Sequence, residues 1–399
     1  MRRALGVVVT VSAGLAVAGV LTGGAFAQPP AGGGQAAAAT GAWTSAPVVN
    51  DLPNPYATIE GWAKLPEGRT WGSTSAVDID RDGKSIWVAE RCAVNSCFDV
   101  KTNEMSPLNT VFKFDRNGNM VTSFGQGMFV FPHGIHVDRD GNIWVTDGQD
   151  NLPRRRPGMA ADAPLPPMPA KVVGHQVVKF SPQGKVLLVL GKPGEAGTPP
   201  TAFTEPNDVL VAPNGSIFVG ESHNAQFEDK PDGPNAIGRI SKFAPDGKFI
   251  KSWGTWGFGN GEFRGPHSLA MDSQGRLFVA DRGNRRIQIF DQEGKHLATW
   301  YQFSRISGLY IDRNDVLYAI DSESDENYNP GWRKGLRVGS AKTGEVWYFT
   351  PEHVSKQPSG MGGYGSMGEG VAVDAAGNVY GGEVGPIQGI TKFIPRLKK

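Results

Sequence analysis

The sequence predicts an all-β protein: a six-bladed β-propeller closed by its own N-terminal strand. Three observations lead there. One hairpin pattern recurs six times along the chain. A second hairpin follows most of the copies. No stretch of any length carries a helical period.

The recurring unit reads TSAVDIDRDGKSIWVAE (74–90), PHGIHVDRDGNIWVTD (132–147), PNDVLVAPNGSIFVGE (206–221), PHSLAMDSQGRLFVAD (266–281), ISGLYIDRNDVLYAID (306–321) and GEGVAVDAAGNVYGGE (368–383). Each copy is an alternating strand, a tight turn with Gly (Asp315 in the fifth) and a second strand. The following hairpins are TVFKFDRNGNMVTSFG, HQVVKFSPQGKVLLVLG, GRISKFAPDGKFIKSWG, RRIQIFDQEGKHLATWY and GLRVGSAKTGEVWYFT. Four strands per unit are the blades of a propeller. The sixth unit ends in GITKFIPRLKK with only three strands, while YATIEGWAKL (56–65) upstream resembles the other fourth strands. That segment is expected to complete blade six and remove the open edge of the ring.

Residues 1–27 read as a secretory signal peptide: Arg2 and Arg3, an apolar stretch to 24, then Ala25-Phe26-Ala27 as an A-x-A cleavage site. An uncleaved anchor is the alternative. Residues 28–50, rich in Ala, Gly, Pro and Gln, read as a disordered spacer, and 51–399 as the propeller. The mature protein is expected to be secreted or periplasmic. Net charge is +1, which gives no footprint for nucleic acid or a membrane surface. Export would permit a disulfide between the two cysteines, Cys92 and Cys97.

In such blades the turns between strands one and two and between three and four lie on one face. These are uniformly short here. The other face carries the insertions 148–172, 222–237, 254–264, 322–334 and 351–367, and is the expected site face. The residue five before the first residue of each first turn opens onto that face: Ser75, His133, Asn207, His267, Ser307 and Glu369. Blades two, four and six, roughly 120° apart around the axis, supply His133, His267 and Glu369. Two His and one Glu with an open position form a known catalytic zinc set, which also suits iron and other divalent ions. The competing reading is that a His after Pro only caps a strand, repeated by duplication.

A second column is acidic throughout: Glu90, Asp147, Glu221, Asp281, Asp321 and Glu383. Capping of backbone N–H groups in the following turn explains it. Beside it lie Arg91 and Arg282, candidates to clamp a carboxylate or to pair with nearby acids. His223, on the same face, is a candidate general base or an exposed loop histidine. The basic, Pro-rich segment 152–172 reads as a lid, a partner-binding arm or a disordered insertion.

The stretches FPHGIHVDRDGNIWVTD, EPNDVLVAPNGSIFV, GEFRGPHSLA and VADRGNRRIQIF resemble those of peptidyl-α-hydroxyglycine α-amidating lyase, an NHL-repeat propeller, over roughly 70–300 and 365–395. The resemblance implies cleavage of a carbinolamide N–C bond to give an amide and glyoxylate. It implies a Zn²⁺ held by three histidines from alternate blades: two match His133 and His267, and the third falls on Glu369. The family's substrate-site arginines match Arg91 and Arg282, and a methionine near the metal matches Met367. A structural Ca²⁺ would take backbone carbonyls at Val77 and Ile135, but its aspartate falls on Gly370. The catalytic tyrosine falls on His223. The expectation is an exported metal-dependent lyase acting as a monomer on a small-molecule or peptide substrate, with no nucleic-acid or membrane partner. The alternative is a non-catalytic NHL-type propeller serving as a binding platform.

Overall fold

The computed structural model describes residues 46–155, 160, 162–233, 235–358 and 364–396. The signal-peptide reading and most of the spacer fall outside the described residues. Among those described, no helix is long and apolar enough to cross a membrane. The helical pieces there are two short 3-10 turns, His223–Phe227 and Arg282–Asn284.

Six four-stranded antiparallel sheets form the blades. Blade one is Thr74–Ile79, Ile86–Glu90, Val111–Phe114 and Met120–Phe124. Blade two is Pro132–Val137, Ile143–Asp147, Val177–Phe180 and Val186–Leu190. Blade three is Pro206–Val211, Ile217–Glu221, Arg239–Phe243 and Phe249–Trp253. Blade four is Pro266–Met271, Leu277–Asp281, Arg286–Phe290 and His296–Trp300. Blade five is Gly308–Ile311, Val316–Asp321, Gly335–Ser340 and Val346–Pro351. Blade six is Gly370–Val373, Val379–Glu383 and Gly389–Pro395, with Tyr56–Ile59 as its outer strand. The inner strands pack in sequence order around the axis, and blade six packs on blade one.

The closure is as the sequence predicts. Tyr56 pairs with Pro395 and Ile59 with Lys392, and Arg396 Nε donates to Tyr56 O at 2.7 Å. Only the first half of the predicted segment serves blade six. Lys64 bridges in parallel to Asn119 at the outer hairpin of blade one.

The repeated turn forms because its aspartate takes the turn's own N–H groups. Asp138 Oδ1 accepts from Asp140 N and Asn142 N, both at 2.9 Å. Gly141 supplies the positive φ of 84° that the turn needs. Asp315 takes that conformation in blade five, at φ 60°. The inward faces of neighbouring blades bury an apolar cluster in each of the six seams. Trp144, Phe203 and Phe243 fill the seam of blades two and three, and Phe278, Ile289 and Phe303 that of blades four and five.

The expected insertions leave from one face. A further one, at 91–110, carries the Cys92–Cys97 disulfide and a two-residue-strand hairpin, Phe98–Asp99 with Glu104–Met105. In 152–172 the described residues form no strand or helix. Residues 46–50, read from sequence as spacer, are fastened to blade five: Arg337 Nε donates to Val49 O at 3.1 Å, and Asn50 Nδ2 to Gly331 O at 2.9 Å.

Candidate functional site

In blades one to four the ring column is built by bulges. In blade one, Thr74 pairs with Glu90 and Ala76 with Ala89, which leaves Ser75 as an extra residue. Asn207 and His267 are skipped in the same way in blades three and four, and the ladder of blade two shifts between Pro132 and Ile135. A bulge turns its residue out of the ladder. Here it directs the first four side chains to the channel mouth, while Ser307 and Glu369 stand just before the inner strands of blades five and six; Ser75, His133, Asn207, His267, Ser307 and Glu369 together line a cavity of about 330 Å³.

The ring side chains bond from blade to blade. Ser75 Oγ donates to His133 O at 2.8 Å, and His133 Nδ1 to Asn207 O at 2.9 Å. Asn207 Nδ2 donates to Pro266 O at 3.1 Å, and His267 Nδ1 to Ser307 O at 2.7 Å. A carbonyl only accepts, so each Nδ1 carries the proton and each Nε2 presents a lone pair. Nε2 of both histidines and Oδ1 of Asn207 are buried without a hydrogen-bond partner.

Those lone pairs meet an acid. His267 Nε2 lies 3.1 Å and His133 Nε2 3.8 Å from Glu369 Oε1. The two imidazoles are edge to face with centroids 4.6 Å apart. Burial, the neighbouring His267 and the Arg91 charge hold His133 well below its ordinary pKa. Burial and Arg282 lower His267 as well. Burial pushes the Glu369 carboxyl up, but the His267 and His133 rings and Arg282 pull it well below the usual carboxylate range. Three ligand atoms therefore converge, and a cation satisfies such a set.

The structure adds a fourth ligand-type residue. His223, in the 3-10 turn after the second strand of blade three, joins His133, His267 and Glu369 in a group whose ligand atoms lie within 4.8 Å of one another and could hold a metal. Its environment differs from that of the other two histidines. Arg282 Nη2 donates to His223 Nε2 at 3.0 Å, so that nitrogen is already served. Burial and the Arg282 charge keep the imidazole well below its ordinary pKa.

Both arginines lie at the ring and both are engaged. Arg91 donates to Asn95 Oδ1 at 2.8 Å, Ser75 Oγ at 2.9 Å and Pro132 O at 3.3 Å. Its guanidinium sits 3.5 Å over the Phe131 ring, and burial brings its pKa down to about 10. Arg282, with no exposed surface, donates to Glu369 Oε1 at 3.0 Å and, through Nε, to Gln226 Oε1 at 3.1 Å. Sequence reasoning missed three partners: Gln226, Arg305 and Glu323. Glu323 lies two residues after Asp321, just as His223 lies two after Glu221, so one further step along that column finds it.

The other expectations fall elsewhere. Met367 packs in the core between blades five and six with Tyr318, Ile320 and Leu336. Val77 and Ile135 line the channel, but the carboxylate a Ca²⁺ site needs has no room at 370. A Cβ on Gly370 would stand 2.1 Å from Ser75 O. The channel's own carboxylates are spent on joining blades: Asp78 accepts from Val137 N at 2.7 Å, and Asp208 from Leu269 N at 2.8 Å.

The acidic second column does cap backbone, though mostly toward the preceding segment. Glu90 takes Gly72 N, Asp147 takes Phe131 N, Glu221 takes Thr204 N and Asp281 takes Arg264 N. Asp321 takes the backbone of the turn that follows, at Glu323 N and Ser324 N, and meets the preceding segment through Ser304 Oγ.

Residues 263–290, spanning the approach and first three strands of blade four, match the NHL repeat family model. The chain is 37% identical over 301 residues to peptidyl-glycine alpha-amidating monooxygenase B of Xenopus laevis, covering 63% of this chain and 30% of that protein. It is 30% identical over 227 residues to a probable peptidyl-alpha-hydroxyglycine alpha-amidating lyase of Caenorhabditis elegans, covering 56% of this chain and 50% of that one. It is 28% identical over 252 residues to NHL repeat-containing protein 3 of Homo sapiens, covering 61% and 59%. The chain thus spans less than a third of the amidating monooxygenases it matches.

Proposed function

We propose that this protein is an exported, metal-dependent carbon–nitrogen lyase that cleaves a carbinolamide of the α-hydroxyglycine type into an amide and glyoxylate. The observation that carries the reading is the pair of unpartnered Nε2 atoms of His133 and His267 facing Glu369. The homologues named as amidating lyases support the reaction class and a peptide substrate.

His133, His267 and Glu369 would hold the ion, and Zn²⁺ suits this set. Bound there, a divalent ion supplies Lewis acidity that eases deprotonation of a hydroxyl group. His223 is kept neutral and takes the hydroxyl proton at Nε2 once Arg282 releases that atom. The carbinol carbon then forms its carbonyl as the C–N bond breaks, and the departing nitrogen takes the proton that His223 gained from the hydroxyl. Arg91 and Arg282 hold the carboxylate of the substrate and of glyoxylate. The Cys92–Cys97 disulfide is consistent with an oxidising compartment.

The test is metal content of the protein starting at Gln28, followed by glyoxylate release from an α-hydroxyglycine peptide. The expected result is about one divalent ion per chain, lost in a His133→Ala/His267→Ala variant, together with glyoxylate formation. No bound ion in folded wild type overturns the lyase reading and leaves a binding platform.

A further inference from the structure

The lyase reading asks Arg282 to hold a carboxylate, yet each of the three guanidinium nitrogens of Arg282 already has a partner. Nη1 faces Glu369 at 3.0 Å, and Nη2 serves His223 at 3.0 Å. Nε serves Gln226 at 3.1 Å. Nη1 also reaches Ser307 Oγ at 3.5 Å and Glu323 Oε1 at 3.4 Å. The other oxygen of Glu323 accepts from Arg305 Nη2 at 2.8 Å. One carboxylate thus lies across two guanidinium groups, one oxygen to each, as a two-arginine clamp would hold a free carboxylate.

The two arginines form a built pair. Gln226 Oε1 accepts from both, at 3.1 Å from Arg282 and 2.5 Å from Arg305. Arg305 Nη1 also donates to Arg282 O at 3.2 Å. The two are 0% and 3% exposed. Two buried like charges side by side require an anion between them. Glu323 is the member of the trio open to solvent, with 14% of its side chain exposed. It sits at the start of the loop 322–334, where it can swing out without disturbing a strand. A second observation points to a ligand: Arg305 Nε is buried and has no acceptor. The clamp holds a donor that Glu323 leaves unused.

We infer that Glu323 is an internal placeholder for the substrate's carboxylate, and that Arg305 is the second arm of the clamp with Arg282. This rests on the lyase reading and deepens it. A small α-hydroxy or α-oxo carboxylate reaches Arg282 by displacing Glu323, and so competes with a tethered acid. A neutral analogue lacking the carboxylate leaves Glu323 in place. If Glu323 occupies the clamp about 90 to 99% of the time, it weakens apparent carboxylate affinity roughly 10- to 100-fold.

The experiment is calorimetric titration of glyoxylate into metal-loaded wild type and Glu323→Gln, with acetate and glycolaldehyde as controls. The expected result is roughly 10- to 100-fold tighter glyoxylate binding by the variant, a smaller gain for acetate and none for glycolaldehyde. Because Glu323→Gln leaves two buried cations with one anion fewer, its thermal midpoint is also measured with and without saturating glyoxylate. A lowered midpoint restored by glyoxylate supports the placeholder. Unchanged or weaker glyoxylate binding, or a midpoint that glyoxylate does not restore, overturns it and makes Glu323 a structural counter-ion. The two proposals fail separately. Metal-loaded wild type that releases no glyoxylate from an α-hydroxyglycine peptide sinks the lyase assignment, while the Glu323→Gln titration decides the clamp.

Discussion

His353 closes the ring in a way that depends on pH. Its Nδ1 lies 2.8 Å from Glu60 Oε1, just after the N-terminal strand of blade six. Its Nε2 lies 2.6 Å from Glu383 Oε1, at the end of that blade's second strand. Both ring nitrogens face carboxylates, and only the doubly protonated ring donates to both. Burial alone would lower its pKa, but the Glu383 and Glu60 carboxylates raise it above the ordinary 6.5. Glu383 has no exposed surface while Glu60 is 49% exposed. The Glu383 bond therefore dominates, at about 1.5–3 kcal/mol, and the Glu60 bond adds under ~1 kcal/mol. His353→Gln keeps one donor, so the expected loss at pH 6 is about 2 kcal/mol, roughly 4 °C in midpoint. A group whose folded pKa is raised stabilises fully below its unfolded pKa and ceases to do so as pH climbs through the folded value. The gap between wild type and His353→Gln should thus be largest at pH 6 and shrink toward pH 9, in urea unfolding followed by tryptophan fluorescence. A gap that stays constant across that range refutes the clamp.

Other outcomes follow from the same structure. Glu369→Gln should weaken Zn²⁺ binding by roughly 100-fold or more in chelator competition, since it removes the charged ligand and releases Arg282. Burial pushes Asp208 to about 7. The native state therefore keeps a proton that the unfolded chain gives up near pH 4, and stability should fall as pH rises from about 4 to about 7. Asp208→Asn should flatten that part of the slope in unfolding titrations. Cys92→Ser/Cys97→Ser should cost about 2 kcal/mol for so short a loop. It should also weaken glyoxylate binding, because that loop carries Asn95, the partner of Arg91. Gly370→Asp should fail to give soluble folded protein, because its Cβ would meet Ser75 O; a well-folded variant in circular dichroism would show that the channel yields.

The fold and the ring column were legible because both are periodic. A turn aspartate, a glycine at positive φ and a Val-x-Asp strand end repeat in register, and position within the repeat fixes position in space. The clamp was not legible because it is assembled across blades. Gln226, Arg282, Arg305, Glu323 and Glu369 come from loops of four blades, and no local pattern couples them. Met367 shows what alignment leaves out. The resemblance implies a place near the metal, and the structure shows that the residue also packs in the seam of blades five and six. Five of the six acids in the second column cap backbone as expected, and the sixth, Glu383, pairs with His353. The direction of the capping was missed, since sequence does not show that the segment entering a blade runs back beside the end of that blade's second strand.

The choice between scaffold and ligand for the repeated Pro-His pair dissolves once the two ring nitrogens are taken separately. Nδ1 does the scaffold's work, donating to a carbonyl of the next blade. Ser75 and Asn207 do the same work with a hydroxyl and an amide. Any donor of suitable reach satisfies that role, so it cannot explain why blades two and four carry imidazole. What histidine adds is the far atom. Serine has none, and Asn207 leaves an amide oxygen, a weaker ligand. Glu369 breaks the donor pattern altogether. It offers only acceptors and takes Arg282 instead. A purely structural ring would gain nothing from an ionised acid aimed at two imidazole lone pairs; a cation site gains its charge balance from it.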